Sequence, residues 1–303
     1  MTIEVEKTTE KKELDMFDSL ITEAIDFRVE KRGIHTYGED GGLHMPNHSA
    51  TIRINPDGSE QDLWVVGSRY EVVDHREVIK QFANILDKAS MSAEVSHTVY
   101  GNGCRIFSTF VLEKQFDLDV GEGKTKKIRP FFSLTTSHDG NLKVGFLLGA
   151  KVGKRYMVLS KKLYGAWAKH TKGINIERTL KDIDTALRLF IENVIPVWTR
   201  MHKITLKGSE VNNIIEKAIS DGVITKLRAK DLNTSSGQSL WQTFLQVVDS
   251  VNEVRGKKGN PERAFWRNTK ANEYFRKVVE RVETERHAAE EVEEVEAEIV
   301  EKE

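Results

Sequence analysis

The chain has 303 residues, of which 39% are hydrophobic and 31% charged, and its formal net charge is −1. That balance excludes an intrinsically disordered chain and supplies enough apolar surface for a substantial core. No apolar run approaches the roughly 20 residues of a membrane-spanning helix.

The first residues, Met1 to Lys7, are acidic and lack an apolar stretch, so no secretory signal is expected. Leu14, Phe17, Ile21, Ala24 and Ile25 recur at three- and four-residue spacings, which predicts a helix over 11–30. Ile34 to Ser49 mixes Gly, His, Pro and Asn without a period and reads as a loop. Thr51 to Ile54 and Leu63 to Val66 flank Pro56-Asp57-Gly58, a hairpin signal, and Gly67 to Val73 continues extended. His75 to Ala89 then reads as a helix with Val78, Ile79, Phe82, Ile85 and Leu86 inward.

Two further hairpins follow. Val95–Tyr100 and Cys104–Phe116 flank Gly101-Asn102-Gly103, while Ile128–Thr136 and Leu142–Leu148 flank His138-Asp139-Gly140. Asp117 to Lys127 is polar and is expected to be an exposed loop. Beyond Gly153, helices are expected over Leu159–His170, Ile176–Ile204, Ser209–Ser220, Ser239–Val254 and Ala264 to about Arg286. Pro196 should kink or end the second of these near Val194. The expected fold is therefore α+β: an antiparallel β meander with a helix, then a mainly helical half. Its segments are an N-terminal helix and loop (1–47), a β-rich core (48–158), a helical region packed on it (159–287) and an acidic tail (288–303), disordered or extending the last helix.

The near-zero charge conceals a division. Residues 1–142 hold 17 Lys and Arg against 24 Asp and Glu, residues 143–286 hold 28 against 15, and the last 17 residues hold Lys302 against 8 Glu. Between Lys143 and Ile176 there are eight basic residues and no acidic one, with Tyr156, Tyr164 and Trp167 among them. Cations that neutralise phosphates, interleaved with rings on which unpaired bases stack, are the composition of a single-stranded nucleic-acid groove. The same pattern also suits a solvated basic face with its aromatics in the core. On the first reading Lys151, Lys154, Arg155, Lys161, Lys162 and Lys169 hold phosphates, and Tyr156 and Trp167 stack. Lys257, Lys258 and Arg267, from a Gly-containing basic connector and the helix after it, close over the strand. Lys124 to Arg129 forms another basic cluster.

Other chemistries are less well supported. His44 and His48, with Glu39 and Asp40 nearby, have ligand-like spacing, but Pro46 argues against one helix carrying both, and no metal or cofactor is expected. His138-Asp139 is explained by turn geometry. Gly101-Asn102-Gly103 lacks the Lys and Ser or Thr of a phosphate loop. Cys104, the single cysteine, excludes an internal disulfide, implies a reducing compartment, and sits where burial is expected.

Trp64 to His75, Gly101-Asn-Gly-Cys-Arg105, Leu134 to Gly140 and Ser239 to Glu253 together resemble a phage- and plasmid-borne family known only as domain of unknown function 932. The resemblance spans roughly residues 60 to 280. It departs at Arg155-Tyr-Met-Val-Leu-Ser160, where the family shows an Arg-x-Val-Cys-x-Asn element. It carries no settled activity. Its mobile-element setting implies DNA transactions in the cytoplasm of a bacterial host, and the architecture resembles Red-beta-type single-strand annealing proteins by analogy only. The expected partner is single-stranded nucleic acid, for annealing or protection, with a protein partner for the acidic tail and homo-oligomerisation both left open. A protein-interaction or host-takeover factor is the alternative, and an enzyme using His44, His48, Arg69 and His138 is a further one.

Overall fold

The computed structural model describes residues 20–22, 24–38, 41–121, 123–159, 165–170, 175, 178, 183–253 and 261–300. The fold is α+β, with antiparallel strands dominating the N-terminal half and helices the C-terminal half. The chain forms two compact units. The first comprises Met1–Gln115, Arg129–Leu148 and Gly165–Ala186, and the second Phe116–Ile128, Gly149–Tyr164 and Leu187–Glu303.

The first unit opens with a three-stranded antiparallel sheet: β1 (Arg28–Gly38), β2 (Gly41–Ile54) and β3 (Glu60–Gly67), in that order. Two expectations fail here. Arg28 to Glu30 belong to β1 rather than to a helix, and Ile34 to Ser49 is a β1–β2 hairpin rather than a loop. The broken apolar pattern hid these strands because β1 and β2 leave many residues exposed and their register shifts between Gly33 and His35. His44 pairs with His35 across that ladder, so it lies on a strand. The β2–β3 hairpin around Pro56-Asp57-Gly58 is present as read, with Gly58 at φ 82°.

Helix α1 (His75–Lys88) starts where the Asp74 carboxylate accepts the Arg76 N–H (2.8 Å), a side-chain cap for an otherwise orphan donor. Val78, Ile79, Phe82 and Leu86 are buried. Phe82 packs against Phe110, Phe132 and Phe146, with ring centroids 4.8, 5.7 and 6.1 Å away. These rings belong to β5 (Arg105–Leu112), β7 (Thr125–Ser137) and β8 (Val144–Val152), so α1 covers the sheet face. Strand β4 (Ala93–Tyr100) pairs with β5 around the Gly101-Asn102-Gly103 turn, as its composition predicts. Gly103 is required twice over: its φ is 96°, and a Cβ there would lie 2.6 Å from Phe27 Cζ.

The expected helix over Leu159–His170 is replaced by strand β10 (Gly165–Ala168), antiparallel to β8. Helix-compatible residues there lose to a non-local pairing, and Gly145 makes room for it. A Cβ on Gly145 would meet the Ala166 carbonyl oxygen at 2.0 Å.

In the second unit, β6 (Phe116–Asp119) pairs with the start of β7, where an exposed loop was expected. Strand β9 (Arg155–Val158) folds back on the end of β8. Helix α2 (Ile183–Leu189) passes through a π-turn at Phe190–Val194 into α3 (Ile195–Lys203). Pro196 cannot donate to the ladder, so the irregularity falls where it was predicted. Helix α4 (Gly208–Ser220) stops at Gly222, φ 67°. A short α5 (Lys226–Ala229) leads to α6 (Leu240–Asn252), which Ser239 and Gln242 cap reciprocally. The core is aromatic: Phe190, Trp198, Trp241, Phe244 and Phe275 are buried against one another. Helix α7 (Pro261–Val300) runs on through the Glu-rich stretch, so the acidic segment extends the last helix as far as Val300, one of the two forms expected of it. Among the described residues, no helix is long and apolar enough to cross a membrane.

Candidate functional site

The first unit carries a cleft of about 1490 Å³, lined by Lys31, Asn47, Val65 to Glu71, Asp139 to Lys143, Lys169 and His170. Three chain segments meet there, each for a local reason. Gly67 ends β3, and the turn that follows is held by Lys31, whose Nζ donates to the Tyr70 carbonyl (2.8 Å) and the Ser68 carbonyl (3.2 Å). The His138–Gly140 turn joins β7 to β8, and the Asp139 carboxylate accepts the Asn141 N–H (2.9 Å), with Gly140 at φ 71°. The end of β10 comes third, tied by the Glu71 N–H to the His170 carbonyl (3.1 Å).

The floor is rigid and neutral. Tyr70 stacks on His170 with centroids 5.1 Å apart and donates its hydroxyl to the Ser137 carbonyl (2.6 Å). Because that proton is committed, the His170 Nδ1 at 3.2 Å donates to the tyrosine oxygen. Burial, reinforced by the Asp139 charge, pushes the Tyr70 phenol well above its ordinary range. Burial likewise lowers His170 to about 4. Behind this floor, His138 and His75 lie ring against ring at 3.9 Å. His75 Nε2 donates to the Gly103 carbonyl (3.0 Å), and Nδ1 of both rings has no hydrogen-bond partner among the described residues. Burial brings His75 down to about 4 and His138 well below its usual value, so both are neutral imidazoles at physiological pH.

Asp139 does not form an acid–base pair with His138. Burial alone would raise its carboxyl, but hydrogen bonds from Asn141 and Arg105 outweigh that and hold it ionised. Cys104 is buried, as expected of it, and burial with the nearby Asp139 raises its thiol to about 11, which makes it a poor nucleophile. Among the described residues, no group of three or more His, Cys, Asp or Glu is placed to hold a metal ion.

The rim carries the charge. In the β8–β10 ladder Val144 pairs with Ala168, which sets Lys143 and Lys169, the residues just outside the pair, side by side. Both are exposed, as is Arg69 in the same cleft lining, and none of the three is in an ion pair among the described residues. Lys31 adds a fourth cation. Against these stand Glu71 and Asp139, whose charge is taken up by Arg105.

The residues expected at a nucleic-acid groove fall in several places. Lys169 lies on this rim, and Trp167 is half-buried on β10 in the same unit. Lys151, Lys154, Arg155 and Tyr156 gather on the β8–β9 hairpin of the second unit. There Lys151 and Tyr156 are directly opposite, with Nζ 5.4 Å from the ring centroid, and Tyr156 is 38% exposed. Arg155 is engaged by Asp249 (2.8 Å). Arg267 is half-buried on α7. Lys161, Lys162, Lys257 and Lys258 lie outside the described residues. Lys31, Arg69 and Lys143 line the cleft without having been expected as phosphate contacts, although Lys143 begins the acid-free basic run and Arg69 was a candidate for the enzyme alternative. Arg69 lies between Gly67-Ser68 and Tyr70, where a strand ends in a turn.

The fold and the site define an α+β protein with a cation-rimmed cleft over a neutral, hydrogen-bonded floor. The chain belongs to the family described as Domain of unknown function (DUF932), whose model matches residues 62–297. No curated protein and no solved structure matches it.

Proposed function

We propose that this protein binds single-stranded nucleic acid, with the strand's phosphates held along the cleft rim by Arg69, Lys143 and Lys169. The observation that carries this reading is the β8–β10 register. It folds an acid-free run of eight cations so that its Lys143 and Lys169 meet on a cleft that Arg69 also lines. Phosphate neutralisation by such cations releases counterions and needs no covalent chemistry. Asn47, Ser68 and Asn141 add uncharged hydrogen-bonding groups to the lining, suited to a flexible backbone. The Lys151–Tyr156 hairpin supplies a second, independent contact of the kind that cation and ring make with a nucleotide. The mobile-element setting of the resembling family supports annealing or protection during replication or recombination, in the cytoplasm of a bacterial host.

The test is equilibrium binding of a labelled single-stranded oligonucleotide to the wild type and to the double variant Lys143→Ala/Lys169→Ala. Both side chains are exposed, so folding is retained. The double variant should bind at least about tenfold more weakly, the consequence of two lost phosphate contacts. Equal affinity in the two proteins would refute the assignment of the rim.

A further inference from the structure

Strand β3 is an edge strand of the β1–β2–β3 sheet among the described residues. Near its end Trp64 and Val65 are each 54% exposed. Beside them runs a groove of about 520 Å³ lined by Ile34, Ala50, Asp62, Leu63, Trp64 and Val65, of which only Asp62 is polar. An indole left this far in water on an apolar groove is costly unless something covers it. The strand register is irregular beside it. Thr51 pairs with Trp64 and Ile52 with Asp62, so Leu63 is an extra residue that disrupts the strand at this point.

We infer that Trp64 is a stacking platform for an unpaired nucleobase of the strand whose phosphates lie in the cleft. The inference deepens the nucleic-acid reading and rests on it. Two observations favour this occupant. Val65 lines both the apolar groove and the cationic cleft, so the base platform adjoins the concavity that holds the phosphate sites. Arg69, five residues on, provides the positive charge that a nucleotide's phosphate needs and that an apolar protein partner does not. The Asp62 carboxylate at the groove can accept a hydrogen bond from an exocyclic base amine. Duplex DNA, whose bases are stacked and paired, cannot offer a base to this groove, so the platform selects single strands.

Binding of a single-stranded oligonucleotide is to be compared with binding of an abasic strand of equal length, for the wild type, Trp64→Ala and Trp64→Phe. The wild type should prefer the base-bearing strand. Trp64→Ala should lose about tenfold or more toward that strand and almost nothing toward the abasic one, whereas Trp64→Phe keeps most of the preference. Base-bearing strands should also quench tryptophan emission in the wild type, and less in Trp64→Phe. If the wild type binds both strands equally but in a salt-sensitive way, the platform is refuted while the phosphate reading stands. If it binds neither, the phosphate reading itself falls. A Trp64→Ala protein that passes from dimer to monomer in sedimentation, with its preference for bases intact, would assign the face to a second copy and overturn the inference.

Discussion

His75 and His138 sit ring against ring at 3.9 Å, each with an Nδ1 that lacks a partner among the described residues, an arrangement two imidazolium ions would not tolerate. Their folded-state pKa values are depressed, and that of His75 to about 4. In the unfolded chain they titrate near 6.5. Between those values the unfolded state holds more protons, so stability is complete above about pH 6.5 and falls as the pH drops toward 4. Replacing His138 with Leu removes one titrating group from an apolar neighbourhood that includes Phe27. Urea denaturation should then show a loss of stability between pH 7 and pH 5 smaller by about 2 kcal/mol than in the wild type. An unchanged loss would mean that His138 is not held neutral by burial. The turn that carries His138 was legible from Asp139-Gly140 alone, because turn chemistry is local. The pairing of His138 with His75 was not, because it depends on where α1 packs against the sheet.

Strand β9 shows how elements are joined when a ladder runs out. One edge pairs with β8, and the other is satisfied by asparagines on α7. Asn268 accepts the Val158 N–H (2.9 Å) and donates to the Tyr156 carbonyl (2.8 Å), while Asn272 donates to the Val158 carbonyl (2.8 Å). Asn268 is 1% exposed, so water cannot replace it. Asn268→Ala should cost about 2 kcal/mol in equilibrium unfolding, since it strands a buried N–H. It should also raise hydrogen exchange at Val158, and protection equal to the wild type would contradict the contact. At this scale the hairpins and the capped helices α1 and α6 could be read from sequence, because Gly-Asn-Gly turns and Ser and Asp caps act within a few residues. Strands β1, β6 and β10, and β2 ahead of Thr51, could not. Their apolar alternation is weak, and β10 exists because Gly145, distant in sequence, leaves space for Ala166.

For the whole molecule, the net charge of −1 says little about partners, since the charge is distributed unevenly along the chain. The charge division was legible as counts, and the run from Lys143 to Ile176 did contain two residues of the cleft rim. Which of its cations converge was not legible, because Leu159–His170 within the run is expected to be helical from its sequence and forms a strand at Gly165–Ala168 instead. Arg69 and Lys31 reach the same cleft from strands and turns far away in sequence. The central claim is that this rim neutralises phosphates, and the most direct measurement is the affinity for a labelled single strand as a function of salt. Three cations outside ion pairs, Arg69, Lys143 and Lys169, predict that log K falls against log salt with a slope of about −2, at about −0.7 per phosphate contact. Absence of binding at low salt, or binding indifferent to salt, would contradict it.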